Sequence, residues 1–289
     1  DLHRRRHSFP TRRSSDLTRS RLGKRITFGV GGVLAFAYFF PFFLVFANSL
    51  KFKEDILNNP LSLPIQITWD NFEQAFIKMN FFRSLTNSII ITVLSVSLLI
   101  VFSSMLAYYL ARTKSKPSKY IFLILVASMI VPFQALMIPF MARFAPLVSF
   151  NHRGALIFFY IGFGTALSTF LYHGFISTIP TEIDEAASID GASDMVAFWK
   201  IIFPMMRPIT ATVAIINALW IWNDFLLPRL VLTEQTQTLP LSTYLFYGQY
   251  TVEYGQVMAG LALAVIPIVI FYLILQKQFI SGISQGAVK

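Results

Sequence analysis

Six predominantly apolar stretches divide the chain, at roughly residues 26–48, 86–111, 120–141, 154–173, 208–228 and 258–280, with the polar positions gathered between them. A bilayer core of about 30 Å needs about 20 helical residues to cross it, and each stretch is long enough. The first is too long, and too uniformly aromatic through Phe39, Phe40, Phe42 and Phe43, to be a signal-peptide core, and no small-residue cleavage site closes it. It reads as a retained span. The pattern predicts an all-α polytopic membrane protein with six transmembrane helices. No repeat of 20 to 50 residues suggests a solenoid or duplicated transporter halves.

The connections carry their own signals. In the loop 49–85, Asp70 and Glu73 have the spacing of a capping box, which predicts a short helix there. Pro132 and Pro139 fall inside the third stretch, which is expected to be a single kinked helix serving packing. The segment 177–206 reads as two short helices at an elbow. Thr181 is placed to cap the first, with Glu182, Asp184 and Glu185 in the turn where the helix dipole favours anions and the small Ala186 and Ala187 behind them. Gly191 can stop that helix at positive φ, and Ser193 can cap a second one whose Val196, Trp199 and Phe203 form an apolar stripe. Pro204 and Pro208 then turn the chain back towards the membrane.

Composition agrees with the spans: of 289 residues 55% are hydrophobic and 13% charged, against about 25% charged in soluble domains. The formal charge of +10 raises the question of a nucleic-acid partner, but residues 1–25 alone carry +7 and contain no interleaved stacking platform. No nucleic-acid partner is expected, and the run reads as a disordered basic tail on the cytoplasmic side. Whether residues 1–17, which carry no initiator Met, are native is left open by the sequence. Lys and Arg favour cytoplasmic loops. Placing the N-terminus inside puts 17 of them inside and 7 outside, which predicts cytoplasmic termini, including a tail at 282–289.

Chemistry is scarce. With no Cys there are no disulfides, thiolate metal sites or cysteine nucleophiles. His3, His7, His152 and His173 lack metal-ligand spacing, so no metal site is expected. No catalytic constellation assembles from sequence neighbours, and no Gly-rich phosphate cradle ending in Gly-Lys-Ser/Thr occurs. Any ATP hydrolysis must therefore belong to another polypeptide. Along the fifth stretch, Asn217, Trp220, Ile221 and Asp224 recur on one helix face, and with Asn223 they are the candidate pathway residues. The alternative is that Trp220 and Trp222 belong to an interfacial aromatic belt and Asp224 meets the interface.

Glu185-Ala186-Ala187, three residues, Gly191, nine residues, Ile201, one residue, Phe203-Pro204 resembles the signature loop of binding-protein-dependent ABC importer permeases, departing only at Phe203, where that family usually has Leu. The similarity covers about residues 26–281. Asn48-Ser49-Leu50-Lys51, Thr68-Trp69-Asp70-Asn71-Phe72 and Trp222-Asn223-Asp224-Phe225 look like the carbohydrate-uptake branch, the maltose-type inner permease subunit. The resemblance implies a type I ABC importer permease fold: a first span at 26–48, an external loop at 49–85 and a core at 86–281 containing the coupling loop 177–206. It implies contact with an ATPase through Glu185, Ala186, Ala187, Gly191, Trp199, Ile201 and Pro204. It also implies a second permease subunit, two ATPase subunits using ATP and Mg, an external solute-binding protein and a sugar substrate. The chain would bind no cofactor itself and would lie, surrounded by lipid, in a bacterial or archaeal plasma membrane. An ABC permease for another solute stays open, as does an ion-coupled secondary transporter using Asp224. A membrane-embedded enzyme is disfavoured.

Overall fold

A computed structural model describes residues 14–247 and 252–287, with side chains placed over 26–247 and 252–273. Residues 1–13 of the basic tail and 288–289 of the C-terminal tail lie outside the described residues. In chain order the helices are α1 Ser14–Ser49, α2 Lys53–Asn58, α3 Asp70–Lys78, α4 Phe81–Arg112, α5 Lys116–Ser128, α6 Phe133–Phe150 and α7 His152–Ile176. The elbow supplies α8 Glu182–Ile189, α9 Asp194–Ala197 and α10 Phe203–Met205, followed by α11 Arg207–Asn223, α12 Leu226–Val231, α13 Leu239–Ser242 and α14 Tyr254–Ala287. Among the described residues five helices are long and apolar enough to cross a membrane, or six if the elbow helix and α11, bent by 78°, count as one broken span.

The bundle is built inside out. On α4 a buried stripe runs through Ser84, Ser88, Ile91, Ser95, Leu99, Ser103, Ala107 and Leu110, spaced three or four apart, with Asn87 and Ser104 buried beside it. Its opposite face exposes Ile89, Val93, Leu94, Leu98 and Phe102. Between helices in lipid, apolar burial offers little advantage, and small residues that let backbones approach hold the contact. α7 packs along this stripe in the most extensive helix pairing of the chain. A Cβ on its Gly164 would lie 2.7 Å from Leu99 Cδ1 and 3.1 Å from Asn217 Oδ1, so any side chain here would have to displace Leu99 where α4, α7 and α11 converge. The apolar length of α1, by contrast, is nearly all exposed.

Two expected spans are redrawn. The third is not one kinked helix at 120–141: it breaks at residues 129–132 into α5 and α6, with Pro132 capping α6. Proline lacks the N–H that would continue the ladder and disfavours helical backbone at Val131, whereas Pro139 and Pro146 are carried inside α6. The fifth ends at Asn223 rather than 228, because Asp224 is extended, with ψ 134°.

The capping box in the 49–85 loop is also corrected. Asp70 is the first residue of α3 and makes no side-chain cap bond; its own N–H donates to Thr68 Oγ1 at 3.2 Å. The neighbouring motifs form one knot at the end of α1. Asn71 Nδ2 donates to the carbonyls of Ser49 (3.0 Å) and Lys51 (2.8 Å), and Asn48 Nδ2 donates to those of Leu44 (2.9 Å) and Pro60 (3.0 Å). The fully buried Lys51 ammonium donates to Asn59 O and Ser62 Oγ at 3.1 and 3.2 Å. Asn48-Ser49-Leu50-Lys51 and Thr68-Trp69-Asp70-Asn71 are therefore two halves of one architectural device. They satisfy the orphan carbonyls at a helix end.

Candidate functional site

The elbow is assembled from local backbone rules. α8 closes with Gly191 at φ +80°; Gly191 N–H donates to Ser188 O at 3.0 Å and Ala192 N–H to Ala187 O at 2.9 Å. That pair of bonds is a Schellman motif, which requires the left-handed residue and so selects glycine. Thr181 and Ser193 occupy the expected N-cap positions, yet neither side chain makes a cap bond. The second helix is short: α9 passes through a π-helical turn, Phe198–Ile202, into α10. Pro204 has no N–H for the carbonyl one turn back, and the turn before it is closed by the i→i−5 bond from Phe203 N–H to Phe198 O.

The stripe expected on this helix faces outwards. Val196 is 40% and Trp199 37% exposed, beside Met195 and Ile189, while Phe203 is partly buried. The face turned to the bundle is instead Ala197, Phe198, Ile202 and Met206, packed with Ala107, Tyr172, Ile176 and Val213. Glu185 and Ala186 are exposed, Ala187 is buried, and Ile201 and Pro204 are half-buried. Of the sequence-predicted coupling residues, Glu185, Ala186, Gly191 and Trp199 are thus exposed.

A clamp absent from the sequence reading joins this elbow to α4. Arg112 Nη2 lies 2.7 Å from Asp184 Oδ2, both side chains being less than one-fifth exposed, and Arg112 Nη1 donates to Ile179 O at 3.1 Å. The Tyr108 hydroxyl donates to Asp184 Oδ1 at 2.6 Å, and its ring packs on Phe198 with centroids 5.2 Å apart. Tyr108 and Arg112 are one turn apart on α4, so both reach Asp184 from one face. Arg112 was legible only as one of the charges that orient the chain.

The second candidate region is the end of α11. Asp224 is held through both oxygens: Tyr160 OH donates to Oδ2 at 2.9 Å and Leu226 N–H to Oδ1 at 3.1 Å. The latter bond lets Asp224 start the next turn as an Asx motif. Trp220, 40% exposed, meets the Tyr160 ring edge-on with centroids 5.4 Å apart. Asn217 turns inwards, donating to Ser168 Oγ (3.0 Å) and Val213 O (2.8 Å), and Ile221 is buried in the α4–α7 core. Asn223 is exposed, bonded to Leu219 O at 2.8 Å. A cavity of about 200 Å³ is lined by Phe163, Gly164, Leu167, Ile216, Asn217 and Trp220. The structure therefore brings Trp220 and Asp224 together through Tyr160 and keeps Asn223 apart. Tyr160, Gly164 and Ser168, at successive fours on α7, were the missed partners, and that spacing was the available signal.

The chain belongs to the family of binding-protein-dependent transport system inner membrane components, whose profile matches residues 99–285, from the middle of α4 through α14. It is 43% identical over 261 residues to the "Probable starch degradation products transport system permease protein AmyC" of Thermoanaerobacterium thermosulfurigenes, covering 90% of this chain and 95% of that protein. Identity to the multiple sugar-binding transport system permease protein MsmG of Streptococcus mutans is 40%, over 92% and 96% of the two chains. The melibiose/raffinose/stachyose import permease protein MelC of Bacillus subtilis is 39% identical, again over 92% and 96%. The fold matches that in the crystal structure of a bacterial ABC transporter involved in import of the acidic polysaccharide alginate, with TM-score 0.78, 23% identity, and coverage of 93% of this chain and 99% of that one. The protein is thus a multi-pass permease subunit with the type I ABC importer fold, and its family transports rather than catalyses. Such permeases act with a partner permease, an ATPase and a solute-binding protein.

Proposed function

We propose that this permease carries a sugar or oligosaccharide into the cell, forming half of the pathway beside a second, related permease. The observation that carries the reading is the Trp220–Tyr160–Asp224 group, an aromatic edge and a carboxylate held together at the point where α11 breaks. Aromatic faces with adjoining acceptors suit pyranose rings, and the similar permeases are named for starch degradation products, for multiple sugars and for melibiose, raffinose and stachyose. Tyr160 and Leu226 each donate to one oxygen of the Asp224 carboxylate, which fixes its orientation and leaves lone pairs for a further donor. ATP and Mg would be used by two ATPase subunits docked at the elbow, with substrate delivered by an external binding protein. Movement of the elbow would reach the bundle by two routes, through the clamp to α4 and through the 78° bend to α11.

Two measurements test this reading. Trp220→Ala and Tyr160→Phe should each lower substrate-stimulated uptake by roughly tenfold while assembly and basal ATP hydrolysis persist; normal uptake in both would move the sugar path elsewhere. A fall of that size corresponds to about 1.4 kcal/mol, within the range of one lost polar or aromatic contact.

Orientation is tested separately, in a chain free of Cys. With both termini cytoplasmic in a plasma membrane, an impermeant thiol reagent added to intact cells should label Leu63→Cys, which is exposed beside the α1 knot, and spare Thr178→Cys at the elbow end. The reverse labelling would invert the topology.

A further inference from the structure

Three lysines crowd the start of α5 without a counter-charge. Lys114, Lys116 and Lys119 form no ion pair among the described residues, whereas nearby Arg112 is committed to Asp184. Lys116 and Lys119 lie in the first turn of α5, which contains no acidic residue. The positive end of a helix dipole favours anions there, so two cations at that place are unfavourable in the isolated chain.

The three side chains are gathered around one cavity. About 410 Å³ opens between the end of α4, the start of α5 and the end of α7, lined by Lys114, Lys116, Lys119 and His173 on its polar side and by Leu110, Ala111 and Phe122 on its apolar side; no lining residue is acidic. Its walls are built rather than incidental. Buried Ser118 donates from Oγ to Leu110 O at 3.0 Å and from N–H to Ser115 Oγ at 3.3 Å, pinning α5 to α4. The His173 ring stacks on Phe122 with centroids 4.1 Å apart, which fixes the imidazole at the cavity wall. Beyond the cavity, α5 exposes Ile121, Leu123 and Ile124.

We infer that this cavity is a binding site for the phosphate headgroup of an anionic phospholipid. A phosphate in it would meet three ammonium groups and the positive end of α5, while the glycerol and first methylenes would lie on Leu110 and Phe122 and an acyl chain would follow the exposed face of α5. The cavity lies where the ends of α4 and α7, both long and apolar enough to span, meet the start of α5, and basic pockets between helices are where anionic lipid headgroups bind. Assignment to the cytoplasmic leaflet rests on the orientation proposed above; the site itself does not.

The test uses the full chain with the subunits that copurify with it, in nanodiscs of phosphatidylcholine containing graded phosphatidylglycerol, with retained lipid read by native mass spectrometry. Each lysine near the surface is worth about a fivefold change in anionic-lipid affinity. Replacing Lys114, Lys116 and Lys119 together by Gln should therefore weaken phosphatidylglycerol retention roughly a hundredfold. The corresponding triple Arg variant should retain it. Equal retention by the wild-type and Gln variants overturns the site. Displacement of the lipid by millimolar inorganic phosphate would assign the cavity to a free anion and overturn the lipid reading. Loss of a copurifying ATPase from the Gln variant, with lipid retention unchanged, would make the lysines a protein contact and overturn it equally.

Discussion

Arg112→Ala is expected to separate ATP hydrolysis from transport. The guanidinium is the only cation paired with Asp184 among the described residues, and it also holds the Ile179 carbonyl that leads into α8. Removing one partner of a pair that is less than one-fifth exposed leaves a poorly solvated carboxylate, an effect of about 2–3 kcal/mol after allowance for residual solvent. Tyr108 would still hold Asp184, so α8 should stay folded but sit loosely on α4. The measurement is substrate moved per ATP hydrolysed in reconstituted transporter, which should fall about tenfold or more while the ATPase remains bound. Asp184→Asn keeps an acceptor for Tyr108 and should be milder. Normal stoichiometry in Arg112→Ala would remove the clamp from the path of coupling.

A comparable loss is expected from Gly191→Val, and here the structure isolates the cause. A Cβ at Gly191 would meet nothing within 4 Å, so there is no steric neighbour to blame; the strain lies entirely in the φ of +80°. A left-handed conformation costs an ordinary residue about 1–2 kcal/mol, and a β-branched one more, whereas Asn tolerates it. Gly191→Val should therefore open the Schellman bonds to Ser188 and Ala187, misplace α9, and abolish most transport while the protein still inserts. Gly191→Asn should retain most of it. Equal transport by the Val variant and the wild type would show that the elbow angle is not what the ATPase reads. Equal loss in both variants would point to the missing side chain itself being needed at the docking face.

Much of the elbow was visible because helix ends obey local rules. Gly191 was able to stop the first helix at positive φ, and Pro204 marked the return of the chain towards the membrane. The caps were less legible: Thr181, Ser193 and Asp70 stand at plausible positions, but a cap bond depends on a rotamer that competing contacts decide, and none of the three forms one. The outward stripe Val196–Trp199 was found, while the inward face Phe198–Ile202 was not. Both faces of that helix are apolar, and a π turn shifts the periodicity between them.

Four of the six expected spans, their approximate bounds and the α8 stop follow from the sequence by itself, since bilayer thickness and backbone termination impose one-dimensional requirements that consecutive residues must meet. Which face of each helix is inside was decided only by the tertiary structure. In a chain apolar on every side, hydropathy does not mark the interior; the small-residue stripe Ser84, Ser88, Ser95 and Ser103 does, and only in register with Gly164 of α7. The Arg112–Asp184 clamp, the Tyr160–Asp224 bond and the joining of Asn71 to the end of α1 likewise link residues far apart in sequence. Their donors and acceptors are ordinary in isolation, and packing alone selects which of them meet.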